Sequence, residues 1–292
     1  MNETLKGIWL IILSMFLLNA SDALIKLASE QVTFGHIMVA MGLIGTTLTG
    51  TYSVLMGRNP LRREMLEPAL MMRMVLDTCG ACMIFIALGR VDLSLVAVIT
   101  QASPILIAVF AAIILRETVG WQRWTSIIIG FIGVVLIVNP FDAKFDPNVL
   151  FAVGALNALT ARDFATRFVS KSINAVEMST IGFIALAPIG LIVALVDGTR
   201  FAPDHQHFIY MLVAIFVGIG GLIAIAGAMR FGDISATAPF RYSRVVFAVI
   251  VGYFVFAEWP TPIMWLGIAL VIGSGLFLLL RQSPIVQSRS NT

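Results

Sequence analysis

Residues 17–29 read LLNASDALIKLAS, and residues 160–170 read TARDFATRFVS. Both place an acid four residues before a base, Asp22 before Lys26 and Asp163 before Arg167, within long apolar runs. The offset between the two stretches is 141 residues. The same offset, without a gap, pairs Ala20 with Ala161, Ser29 with Ser170, Gly80 with Gly221, Asp92 with Asp233, Ser94 with Ser235, Ala97 with Ala238, Glu117 with Glu258 and Trp124 with Trp265. Each identity is weak alone. A single register held from residue 20 to residue 124 marks a duplicated unit.

Composition says where that unit lives. The chain has 292 residues, 59% of them hydrophobic and only 12% charged. Soluble domains average about 25% charged residues, so the deficit points to a membrane protein. Most charges fall in short gaps between ten apolar runs, at 5–28, 34–56, 69–89, 93–115, 121–139, 148–168, 177–197, 208–229, 234–257 and 262–280. About 20 apolar residues in a helix cross a hydrocarbon core of roughly 30 Å. The first run is too long for a signal core and no small-residue cleavage site follows it, so it reads as the first helix. The expected fold is therefore all-α and polytopic, with ten transmembrane helices.

Ten helices in two copies leave five per copy. Five is odd, so the second copy enters the membrane from the opposite side. The expected architecture is two inverted-topology five-helix repeats, 1–140 and 148–281, followed by a cytoplasmic tail, 282–292. Such repeats recur in secondary transporters, whose sites lie between the halves near mid-membrane. Orientation follows from basic residues in short loops. With the N-terminus inside, inner segments hold ten lysines and arginines, among them Arg58, Arg62, Arg63 and Arg281, while outer loops hold only Arg90, Lys144 and Arg200. Both termini are expected to be cytoplasmic, in a bacterial inner membrane. The net charge of +3 records this bias and gives no reason to expect a nucleic-acid partner.

Ionisable groups inside the apolar runs are costly and mark polar interiors. The first helix carries Asn19, Asp22 and Lys26 on one face, the third Arg73 and Asp77, the sixth Arg162, Asp163 and Arg167, and the ninth Arg241 and Arg244. Asp22 with Lys26, Arg73 with Asp77, and Asp163 with Arg167 are each spaced to close an ion pair on their own helix; pairing across the repeats is the alternative. After local pairing, Arg162, Arg241 and Arg244 remain. An arginine fork suits carboxylate or phosphate, so an anionic cargo would neutralise them; the structural alternative is that Arg162 snorkels to the surface and another helix neutralises the rest. Phe240 and Tyr242 flank Arg241, and Gln101 is the polar position of the fourth helix. Pro104 and Pro239 fall within the fourth and ninth runs, where a proline frees carbonyls and permits a bend.

Other polar residues read as structural. Asp92 and Asp233 open the fourth and ninth helices as caps. Glu117 and Glu258 close the same helices, where acids are unfavourable, so they need partners. The pair Cys79 and Cys82 in TCGAC is a small-residue helix contact. The outer His205 and His207 form an H-x-H without further ligands, so no metal site is expected. No H-E-x-x-H, G-x-S-x-G or P-loop occurs, which argues against an embedded enzyme or an ATP-driven pump.

At this point LLNASDALIK (17–26), VAVITQASPILIAVFAAIILRETVGWQRW (96–124) and ATAPFRYSRVVFAVIVGYFVFAEWP (236–260) resemble the EamA branch of the drug/metabolite transporter superfamily, over nearly the whole chain. The resemblance implies ten helices with both termini inside, a central cavity, transport of small metabolites such as amino acids, and no ATP hydrolysis or cofactor. WQRW and APFRY look most like the members that take up S-adenosylmethionine, and that pattern carries Arg241 and Tyr242 over as site residues. The expected function is a secondary transporter that moves an amino-acid-like or carboxylate-bearing metabolite by alternating access. Its partners would be a small-molecule substrate, the lipid bilayer and a coupling proton carried by Asp22 or Asp163, in a monomer or homodimer. S-adenosylmethionine uptake is the alternative cargo. A non-transporting scaffold or sensor explains the repeat but not the buried charges.

Overall fold

A computed structural model describes residues 3–59, 63–114, 120–139, 145–170, 172–198, 200–228 and 238–282. Apolar runs with no free water to satisfy their backbone must close their hydrogen bonds internally, and helices do so. The helices are α1 (Glu3–Ala28), α2 (Phe34–Leu55), α3 (Pro68–Leu88), α4 (Leu93–Thr100), α5 (Ser103–Ile114), α6 (Trp121–Val138), α7 (Val149–Ala165), α8 (Ala175–Asp197), α9 (His205–Ala228), α10 (Ser243–Phe256) and α11 (Pro262–Gln282). Short 3₁₀ turns cover Arg63–Leu66, Thr166–Phe168 and Ala238–Tyr242. No strand occurs among the described residues.

Local chemistry sets the helix ends. Pro68 starts α3, where its missing N–H costs nothing. Asn174 and Glu177 form a reciprocal capping box at the start of α8, and Gly198, at φ +64°, ends it. Among the described residues, six helical spans are long and apolar enough to cross a membrane: Leu5–Ala28, Phe34–Leu55, Pro68–Leu88, Leu93–Ile114, Ala175–Asp197 and His205–Ile225. Trp124–Val138 and Pro262–Leu278 are shorter apolar helices. Large apolar side chains such as Trp9, Val196 and Phe254 point outward, which fits a lipid surround and would be a liability in water.

The run 93–115 is not one bent helix. It divides at Gln101–Ala102 into α4 and α5. Pro104 is the second residue of α5, so it has no N–H for the Thr100 carbonyl and instead opens a new helix. In the second half the turn Ala238–Tyr242 precedes α10, and Pro239 lies in that turn. Pro104 therefore sits at a helix junction, and Pro239 in the turn that leads into α10.

The most extensive packing joins α2 to α8, α1 to α9, α3 to α7 and α6 to α11. Advancing every first-half residue by 141 positions turns α1 into α7, α2 into α8, α3 into α9 and α6 into α11. Exchanging the halves then leaves the set of pairings unchanged. Single contacts follow the same rule. A Cβ on Gly80 would stand 2.6 Å from Leu159, and one on Gly221 would stand 2.9 Å from Leu18. Leu18 and Leu159 are themselves 141 residues apart.

Candidate functional site

Three layers of charge run along the interior. The first closes one end. α10 stops at Phe256, and Ala257 takes a left-handed φ of +54°, which turns the next residue back under the helix. Glu258 is thereby buried against Gly252, where a Cβ would come within 2.8 Å of its Oε2. Its carboxylate accepts from Leu93 N (2.9 Å), Ser94 N (3.2 Å) and Ser94 Oγ (3.2 Å). Lys26 Nζ donates to Glu258 Oε1 at 2.7 Å and to the Val91 carbonyl at 2.8 Å, with the Phe256 ring beneath it. The carboxylate satisfies the orphan N–H groups of α4 and opposes its dipole. Asp92, expected to cap this helix, makes no side-chain cap bond; Glu258 from the other half does that work.

One turn further in, Arg244 Nη2 pairs with Asp22 Oδ2 at 2.5 Å. Asn19, on the same face of α1, is only 1% exposed. Among the described residues neither its Oδ1 nor its Nδ2 has a hydrogen-bond partner, and Arg244 Nε, Ser243 Oγ and Tyr242 Oη are likewise buried without one. Buried polar atoms left this way mark places where water or a ligand belongs.

The third layer lies on α3 and α7. Arg162 Nη1 pairs with Asp77 Oδ1 at 2.7 Å, and its Nε and Nη2 both donate to Asp163 Oδ1, at 3.0 and 2.8 Å. Arg73 stands 3.9 Å from Asp77 and donates through Nε to Thr166 Oγ1 at 3.0 Å. Arg167 lies over the Phe164 ring and has no acidic partner among the described residues.

Arg241 lies in the turn that precedes α10. Gln101 Nε2 donates to its carbonyl at 2.8 Å, which ties the α4–α5 break to the turn before α10. Its guanidinium has no acidic partner among the described residues. Its side chain is exposed. Phe240 beside it is partly exposed, whereas Tyr242 is buried with its hydroxyl against Gly275.

Local pairing thus fails for two of the three expected pairs. Asp22 and Lys26 do not bond each other; each takes a partner from α10 or the residues just after it. Asp163 pairs with its neighbour Arg162 rather than with Arg167. Only Arg73 and Asp77 keep the i,i+4 relation, at long range. Arg162 pairs with Asp77 and Asp163 instead of snorkelling, and Arg244 is neutralised by Asp22, which leaves Arg241, of these three arginines, without an acidic partner among the described residues. Glu258 was legible only as an acid at an unfavourable helix end, with no partner visible in the sequence. Glu117, Asp233, Ser235 and the tail 283–292 lie outside the described residues.

Among the described residues no group of three or more His, Cys, Asp or Glu side chains is placed to hold a metal ion. His207 instead pairs with Asp204 and Glu30, and Cys79 and Cys82 are free thiols. A surface concavity of about 600 Å³ lined by Glu64, Leu66, Glu67, Ser170 and Ser172 lies away from the interior charges. It sits where Glu67 Oε1 accepts from Ser170 N, a tie between loops.

The model of the EamA-like transporter family matches the chain twice, over residues 5–139 and 147–280. An S-adenosylmethionine uptake transporter of Rickettsia conorii is 26% identical over 287 residues, 96% of this chain and 95% of that protein. The protein of the same name from Rickettsia prowazekii is 28% identical over 195 residues, and this chain spans 65% of its length. A riboflavin transporter of Vibrio cholerae is 28% identical over 179 residues, 61% of this chain and 59% of that protein. A solved crystal structure superposes with a TM-score of 0.64 at 19% identity, covering 96% of this chain and 98% of its own; at that identity the likeness concerns the fold. With both halves matched, the chain belongs to the EamA-like transporter family and is a multi-pass membrane protein, a transporter and not an enzyme.

Proposed function

We propose that this chain is a secondary transporter that moves a small polar metabolite across a bacterial inner membrane by alternating access. The observation that carries the reading is Arg241, an exposed arginine without an acid partner among the described residues, tied across the halves by Gln101. A cation inside an apolar run is costly unless something anionic visits it. Ten spans in two five-helix halves of opposite topology are supported by the pairing scheme, in which α1 with α9 exchanges for α7 with α3. In this reading the layer of Lys26 and Glu258 closes one end, and the basic-residue bias makes that the outer end, with both termini cytoplasmic. Asp22 and Asp163 are the candidates for a coupling proton.

The cargo carries a carboxylate that Arg241 receives, beside Gln101, Phe240 and Tyr242. Asn19 and Arg244 complete the polar wall on the side of α1. S-adenosylmethionine uptake is favoured as a second, narrower reading because a relative of that name aligns along nearly the whole chain. Uptake into liposomes holding the purified protein tests the proposal. Time-dependent, saturable flux of a carboxylate-bearing metabolite, lost in Arg241→Gln, is the expected result. Flux that is unchanged in Arg241→Gln would remove Arg241 from the site.

A further inference from the structure

We infer that the helix breaks at Gln101–Ala102 and Tyr242–Ser243 form one exchanging hinge. Bonds made at the first break in this state are traded for their counterparts at the second when the protein turns to the other side of the membrane. The inference rests on the transport reading above and assigns Gln101, Thr160, Asn19 and Tyr242 as positioning residues for that turnover.

The two breaks occupy one register. Advanced by 141 positions, Gln101–Ala102 becomes Tyr242–Ser243, where the 3₁₀ turn gives way to α10. The first break packs on α7 and the second on α1, and α7 is the register mate of α1. Their contacts nevertheless differ. At the first break Gln101 Nε2 donates to the Arg241 carbonyl at 2.8 Å, and Thr160 Oγ1 donates to Ser103 Oγ at 3.0 Å.

The counterparts of these two bonds are unmade. The mate of Gln101 is Tyr242, and the mate of the Arg241 carbonyl is the Thr100 carbonyl. The mate of Thr160 is Asn19, and that of Ser103 is Arg244. Tyr242 Oη, both amide atoms of Asn19 and Arg244 Nε are the buried atoms that lack a hydrogen bond among the described residues. Such atoms are costly and call for a reason. The register supplies one, because each belongs to a side chain whose mate is bonded. Ser243 Oγ is also unpartnered; its mate is Ala102, which has no polar side chain.

Exchange satisfies the idle set. Tyr242 Oη donates to the Thr100 carbonyl, for which Pro104 has no N–H, and Asn19 Oδ1 accepts from Arg244 Nε. Arg244 holds Asp22 through Nη2, a different nitrogen, so that ion pair survives the change and no charge is uncovered. Gln101 and Thr160 become the unpaired set in turn. Each state makes one set of bonds and forgoes the other. The two states therefore stay close in free energy, as a carrier that must visit both requires. Inverted repeats lend themselves to such a trade, since one half can take up the arrangement of the other.

The test is double electron–electron resonance on the full chain in liposomes, with Cys79→Ser and Cys82→Ser and spin labels at Glu30→Cys and Thr261→Cys. These are exposed positions, one on each segment that the Lys26–Glu258 bond joins. Gln101→Met and Thr160→Val each remove a bond of the present state. Each should raise the share of long separations about fivefold, the worth of one hydrogen bond. Asn19→Leu and Tyr242→Phe remove bonds of the other state only. Either should lower that share alone and, added to Gln101→Met, bring the distribution back toward the wild type. A merely structural role would carry the double variant further away. Asn19→Leu and Tyr242→Phe delete atoms unsatisfied in this state, so their melting midpoints should not fall, and they decide the test if Gln101→Met or Thr160→Val fails to fold. Shifts of one sign in both sets, or a distribution that no variant moves, would overturn the hinge. Saturable flux in the uptake assay above would in that event leave the transport reading in place. No flux would overturn the transport reading and this inference with it.

Discussion

Lys26 Nζ lies 2.7 Å from Glu258 Oε1, across 232 positions of chain. The bond joins the last turn of α1 to the residue that follows α10, and Glu258 passes it on to the first N–H groups of α4. One carboxylate thus ties three segments from both halves at one end of the bundle.

Replacing Glu258 with Gln keeps the shape and removes the charge. Lys26 is then left beside a neutral amide in a buried place, and breaking such a pair costs about 3 kcal/mol. Thermal unfolding of the purified protein should show a clear fall in midpoint. The Lys26→Met, Glu258→Gln double variant should be less destabilised than the sum of the singles, because the uncompensated charge is gone. Strict additivity would mean the pair contributes nothing.

Helix separation between α2 and α8 offers a sharper contrast. A Cβ on Gly42 would stand 2.5 Å from the Ala187 backbone nitrogen, whereas one on Gly50 meets nothing closer than 3.7 Å. Backbone cannot step aside as a side-chain tip can. Gly42→Ala should therefore cost about 1–3 kcal/mol by overpacking. Gly50→Ala should be neutral or stabilise by up to about 1 kcal/mol through helix propensity. The melting midpoints of the two variants, measured in one detergent, should lie on opposite sides of the wild type or far apart below it.

Arg162 separates two acids. Its removal in Arg162→Gln takes away the cation that both Asp77 and Asp163 bond, with Arg73 3.9 Å from Asp77. Solvent reaches this cluster in part, so the expected loss is about 2 kcal/mol, below the range for a fully buried pair. Adding Asp77→Asn should recover part of it. A double variant no more stable than Arg162→Gln alone would refute the account.

Asp204 lies outside the membrane-crossing part and accepts from the His207 backbone N–H at 2.8 Å and from its ring at 2.6 Å. These bonds, the backbone one first, hold its carboxyl below the usual carboxylate range. A depressed pKa stabilises the fold above the unfolded value, near 3.9, and that contribution is lost as the pH falls through the folded value. Amide exchange at His207 should stay slow from neutral pH down into the acid range and quicken only below it, relative to the intrinsic rate. Asp204→Asn should abolish that pH dependence.

The amino-acid sequence alone determined the helical segments, because a helix that crosses about 30 Å of hydrocarbon must be apolar over some 20 residues whatever its neighbours are. It also carried the 141-residue register and the polar positions of the interior, since charge inside an apolar run is visible without coordinates. It did not determine which charges meet. Asp22 had Lys26 at the right local spacing, and Asp163 had Arg167, yet Asp22 and Lys26 pair across the halves and Asp163 pairs with its neighbour Arg162. The choice depends on α1 packing against α9 and α10, where partners from distant sequence lie in a low-dielectric interior and outbid a local pair that water would weaken. The break at Gln101–Ala102 and the left-handed Ala257 that aims Glu258 at α4 belong to the same class. Each exists only because tertiary packing placed two segments side by side.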